Sequence, residues 1–149
     1  MEKLGAQSTR GNLGIGTKSP SYPLQMGSGA YCSTGGVWTN ASSREYKTGI
    51  RQLATHEALE ALEALKPVEF AYKADRNEKH VGFIAEEAPA LVATKDRKGM
   101  SPMDVVAVLT KVVKEQQRAI AQLSKKVEEL SEGLEANAMP RLAEVQLQQ

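Results

Sequence analysis

Residues 101–140 read SPMDVVAVLT KVVKEQQRAI AQLSKKVEEL SEGLEANAMP, and this stretch decides the fold. Ser101 can cap a helix that carries Pro102 at its first position, where a missing N–H costs nothing. Asp104 stands three residues after the cap, in a capping-box arrangement. Placing Leu109 at d of a heptad puts Val113, Ile120, Val127 and Leu134 at a, with Gln116, Leu123, Leu130 and Asn137 at d. At ~1.5 Å per residue the seam from Leu109 to Leu134 is roughly 40 Å long, more than a small domain needs for its own packing. The pattern therefore predicts a coiled-coil helix over 101–138 whose partners are other copies of the chain. An amphipathic helix lying on its own domain is the alternative, and the strict heptad spacing argues against it. β-branched residues at a with Leu at d favour two strands, but Gln116 and Asn137 weaken that rule, so spacing leaves dimer and trimer open. Gly133 weakens the last turns, and Pro140 is expected to end the helix, leaving 139–149 as a tail.

Upstream, the first forty residues are rich in Gly, Ser and Thr, with short apolar pieces at Leu13–Gly16 and Tyr22–Met26. Such a segment cannot build a core alone. It predicts short strands between Gly and Ser-Pro turns, the end of a β-rich stalk over 1–41 that takes its burial from neighbouring copies or preceding sequence. From Ser42 the composition turns charged and apolar. Thr55 precedes a helix in which Leu59, Leu62 and Leu65 recur at helical spacing, and Pro67 stops it. Val68–Tyr72 alternates like a half-buried strand, Asp75–Asn77 reads as a turn, and Val81–Ala85 reads as a second strand. The fold class is thus α+β: a stalk end, a small α+β unit over 42–100, and a long terminal helix.

Composition excludes several functions. With 149 residues and 5% aromatics the chain has little material for a large enzyme core. Lys and Arg total 19 against 18 for Asp and Glu, and a net charge of +1 gives no electrostatic case for nucleic acid or anionic membrane partners. Cys32 is the only cysteine, which rules out an intrachain disulfide, and His56 and His80 have no zinc-ligand spacing; no metal and no cofactor are expected. Met1–Gly11 has no apolar h-region, and the densest apolar run, Val105–Leu109, is too short to span a bilayer.

The junction between stalk and α+β unit, Trp38 to Lys47, places the Ser42 hydroxyl and the Lys47 amine five residues apart. A Ser-Lys pair is one variant of nucleophilic catalysis, in which burial or nearby positive charge must favour a neutral amine. If the site became dry only when several copies packed together, cleavage would report assembly. An offset of five lies off the shared face of a helix and on the opposite face of a strand, so the residues must turn; one arrangement that does so has Ser42 at a helix N-cap and Lys47 in the first turns. Spacing alone favours a plainer reading: Ser42-x-x-Glu45 is also a capping box that starts a short helix, with Lys47 solvated. Gly14–Ser19 lacks the Walker spacing and reads as turn glycines. His80 reads more readily as a packing residue than as a proton-transfer group, and Trp38 as cover for the stalk's end rather than an interface anchor.

Several ordered motifs together resemble the intramolecular chaperone of endosialidase family, also called the S74 peptidase family, found at the C-termini of phage tail spikes, tail fibres and similar bacterial proteins. Asn12–Pro20 resembles the turn-rich repeat that often precedes the domain and Thr39–Lys47 its opening. Leu65–Lys73 and His80–Glu87 resemble its central strands, and Ser101–Gln117 the start of its terminal helix. The resemblance implies a homotrimer with a parallel coiled coil. It also implies assisted folding of the upstream fibre segment of the same chain, then one self-cleavage without external substrate or cofactor. Carried over, Ser42 is the nucleophile, Lys47 the base and Ala41–Ser42 the scissile bond. Assembly would occur in the cytoplasm, and the mature fibre would stand in a virion tail or on a bacterial surface. Ser43 stands where many members have Asp, making it a competing nucleophile, and Glu86 stands where many have Gln. A permanent trimer cap that does not cleave is the alternative function.

Overall fold

The computed structural model describes the backbone of residues 6–9 and 11–146 and the side chains of residues 11–135. The chain divides into two compact units, Met1–Arg51 and Gln52–Gln149, a division that falls downstream of the composition change at Ser42. Together they carry an α+β architecture with small sheets and a long C-terminal helix.

The first unit is a five-stranded sheet in the order β1-β2-β3-β4-β5: β1 (Ala6–Thr9), β2 (Asn12–Ile15), β3 (Leu24–Met26), β4 (Tyr31–Cys32) and β5 (Trp38–Thr39). Neighbours are antiparallel except β2 and β3, which run parallel. Backbone bonds from Leu13 N to Pro23 O (2.8 Å) and from Gly27 N to Ile15 O (2.7 Å) extend that parallel pairing at both ends. The rings of Tyr22 and Tyr31 stack with centroids 3.7 Å apart. Among the described residues, none of the buried hydrophobic side chains belongs to this unit, and Leu13 and Ile15 stay about two-fifths exposed.

The second unit holds the hydrophobic core. Helix α1 (Thr55–Ala64) begins one residue earlier than the sequence suggests: Ala54 is its N-cap, and the Glu57 carboxylate reaches back to accept from Ala54 N at 3.0 Å. Leu65 leaves the helix in extended conformation, two residues before Pro67. The inward face of α1 takes in part of the leucine stripe, with Leu62 packed against the core, and adds two alanines to it. Ala58, Ala61 and Leu65 are buried, whereas Leu59 is 41% exposed. Small side chains allow the closer helix–helix approach, so the alanines face the neighbouring helix.

Strands β6 (Val68–Tyr72) and β7 (Asp75–Gly82) form an antiparallel hairpin. The turn is tighter and earlier than expected, at Lys73 and Ala74, and β7 ends at Gly82 rather than at Ala85. Asp75 still acts as a turn residue, its Oδ1 accepting from Asn77 N at 3.1 Å, but from inside the strand beside an irregularity in the register. Phe83 is released from the strand and packs on the core. The loop to residue 101 supplies Ala88 and Val92, and Arg97 fastens it by donating from Nη2 to the carbonyls of Glu86 (2.9 Å) and Ala88.

Helix α2 spans Pro102–Gln146. Its N-terminus has Ser101 ahead of Pro102, and Asp104 N donates to Ser101 O at 3.1 Å. Val108 and Val112 are 1% and 2% exposed and close the core against α1. The helix passes Pro140, where the sequence suggests an end. A proline removes one N–H and disturbs one turn, at a cost of about 3 kcal/mol, without dictating that the chain leave the helix. Asn137, the last d position, lies outside the residues whose side chains are described, as do residues 147–149 altogether.

Candidate functional site

The residues from Ala41 to Lys47 turn as their spacing requires, by a short 3-10 helix over Arg44–Tyr46. A 3-10 turn closes in three residues, so the chain doubles back faster than an α-helix would. Tyr46 N bonds to Ser43 O (3.2 Å) and Lys47 N to Arg44 O (3.1 Å). Lys47 then adopts an extended backbone, φ −122° and ψ 144°, and its side chain folds back along the turn. Its Nζ donates to Ser42 Oγ at 2.8 Å. Two residues that neither a helix nor a strand would bring together are thus in hydrogen-bond contact.

The cap falls one residue later than expected. Ser43, not Ser42, is the N-cap, and its Oγ accepts from Glu45 N at 3.3 Å. The capping-box reading of Ser42-x-x-Glu45 is therefore replaced, because the turn is a 3-10 turn and starts at Arg44. The consequence bears on the two competing serines. Ser43 Oγ is engaged by the backbone, in a role that Asp fills equally well, while Ser42 Oγ is the one presented to the lysine. Ser42 and Lys47 are both exposed.

The expected interface residues lie along α2 on a face that adjoins the one Val108 and Val112 turn to the core. Leu109 (41%), Val113 (51%), Ile120 (55%), Leu123 (63%), Val127 (62%), Leu130 (60%) and Leu134 (72%) are all exposed in the single chain, and Gln116 shares their face. His80 packs its ring against Phe70 and Tyr72, with centroids 5.8 and 5.1 Å away. Trp38 is half exposed, and its Nε1 donates to Asn40 Oδ1 at 2.8 Å. Gly14–Ser19 runs from the end of β2 into a turn, and Glu86 is exposed in the loop after β7. Among the described residues no group of three or more His, Cys, Asp or Glu is placed to hold a metal ion, and no helix is long and apolar enough to cross a membrane.

Sequence reasoning misses one feature of the second unit, an open groove of 740 Å³ lined by Phe70, Val81, Ile84, Met100 and Val106 among others. It brings hairpin, loop and helix residues together, and no linear spacing connects them.

No curated protein and no solved structure matches the chain. The family model Peptidase_S74, described as chaperone of endosialidase, matches residues 42–95, from the serine of the pair into the loop after β7, and the match supports a chaperone role.

Proposed function

We propose that the chain is a C-terminal intramolecular chaperone that trimerises through α2, folds the fibre or tail-spike segment ahead of it, and releases itself by cutting Ala41–Ser42. The observation that carries this reading is the 2.8 Å contact between Lys47 Nζ and Ser42 Oγ at the first residue of the family match. The exposed heptad seam supports the assembly part.

The chemistry is a self-directed acyl transfer. Lys47 in its neutral form takes the Ser42 hydroxyl proton, and Oγ attacks the Ala41 carbonyl carbon, forming an ester as the Ala41–Ser42 C–N bond breaks. The departing Ser42 nitrogen takes up a proton and becomes the new amino terminus. Water then hydrolyses the ester, leaving the Ala41 carboxylate and restoring the serine hydroxyl. Burial favours the neutral amine that the first step needs. Because both residues are exposed in the single chain, assembly with other copies is the event that would supply it, and one cut per chain would follow trimer formation. The mature fibre would then stand in a virion tail or on a bacterial surface.

The same exposure favours a second reading, a permanent trimer cap that never becomes dry enough to cut. Intact mass after assembly separates the two: fragments 1–41 and 42–149 support the self-cleaving chaperone, and an uncut trimer supports the cap.

A further inference from the structure

We infer that the β3–β4 turn is the seat of the cleavage segment, with Gly29 as a positioning residue that holds both ends of the 41–47 loop. This deepens the self-cleavage reading and rests on it for its catalytic consequence.

The turn is a defined one: Met26 N donates to Ala30 O at 2.7 Å, and Gly29 N donates to Met26 O at 2.9 Å. Gly29 lies at φ +93°, a conformation that L side chains rarely adopt. A Cβ placed on it would stand 3.3 Å from Ala41 Cβ, 3.5 Å from Tyr46 Cε2 and 3.6 Å from Tyr46 Oη. These are the neighbours that matter for the site. Ala41 supplies the acyl half of the bond to be cut, and Tyr46 immediately precedes Lys47. One glycine therefore abuts the residue before the nucleophile and the residue before the base.

An exposed lysine and serine keep a 2.8 Å contact only while the backbone beneath them is fixed. The Ser43 cap and the 3-10 bonds fix the loop internally, and the β3–β4 turn lies within a side chain's reach of Ala41 and Tyr46. Cleavage would then require the stalk-end sheet to be folded in the same chain, a condition separate from helix assembly. The absent Cβ at position 29 also leaves room for a side chain at position 41.

The test uses Gly29→Ala against Gly36→Ala in the full chain. Gly36 is also a turn glycine, at φ +78°, but a Cβ there meets nothing within 4 Å, so it shares the backbone strain and lacks the contact. In a Ser42→Ala background, where no cut can occur, hydrogen exchange at the Tyr46 and Lys47 amides is measured. Gly29→Ala should speed it about tenfold or more and Gly36→Ala by less than about twofold. Tyr46→Ala, which leaves the turn glycine intact, should speed Lys47 exchange as well. With Ser42 restored, Gly29→Ala should slow cutting about tenfold at unchanged oligomer mass, and adding Ala41→Gly should recover part of the rate. Unchanged exchange in Gly29→Ala and Tyr46→Ala, or equal effects from Gly29→Ala and Gly36→Ala, overturns the seat. If exchange responds as expected but the parent chain never cuts, the seat stands and the cleavage reading falls.

Discussion

The two stretches of α2 on either side of Glu115 carry the same heptad spacing and face different surroundings. In the first, Val105, Val108 and Val112 turn inward onto α1, while Val106, Leu109 and Val113 form a second apolar stripe that remains exposed. In the second, Ile120, Leu123, Val127, Leu130 and Leu134 continue that outer stripe and are each more than half exposed. The difference teaches that a helix can serve two purposes with one sequence. Its root is bolted into a small core by one face, and a second apolar face stays exposed along the described helix.

Substitutions on the two faces should break this contrast in order of size. Val108→Asp puts a carboxylate into the core and should cost about 3–5 kcal/mol, enough to unfold the second unit and the assembly with it, read as loss of cooperative melting. Leu123→Asp should reduce the solution mass to that of one chain while the dispersed methyl NMR signals of Val92 and Val108 persist, because position 123 contributes nothing to the core. Loss of those signals in Leu123→Asp would show that core and seam are not separable.

The smallest effect is at Glu115, between the stretches. Lys111 Nζ donates to Glu115 Oε1 at 2.9 Å, and Arg118 Nη1 does so at 2.7 Å. The Lys111 bond foremost, with Arg118 adding, holds the Glu115 carboxyl below the ordinary carboxylate range. Because the folded state binds this proton less readily than the unfolded one, the stabilisation is present above the ordinary carboxylate range and is lost as pH falls through the depressed value. Lys111→Met should move the Glu115 carboxyl titration, followed by NMR, upward, with only a slight loss of stability near neutral pH.

The two α2 faces were not equally legible. The outer stripe announces itself because nothing but its own period sets it, and every a and d position from Leu109 to Leu134 lies on it. The inner face of α1 is harder to read, because Ala58 and Ala61 are less conspicuous than Leu59, and only the close approach of α2 selects them. The same holds at the candidate site. A five-residue offset identifies Ser42 and Lys47 but points to a helix cap at Ser42. The 3-10 turn capped by Ser43 depends on hydrogen-bond geometry that no residue pattern encodes. Short strands between Gly turns are legible in the first forty residues, but β4 and β5 are two residues each, too short to show any alternation, so nothing marks which turn lies next to Ala41 and Tyr46. Pro140 shows the opposite failure, a strong local signal that the helix overrides.

The most direct test of the central claim is the intact mass of the full chain after assembly, compared with Ser42→Ala and Lys47→Ala. Fragments 1–41 and 42–149 are expected from the parent and a full-length chain from either variant, with all three assembling alike. A parent that assembles and stays uncut, or cutting that persists in both variants, would contradict it.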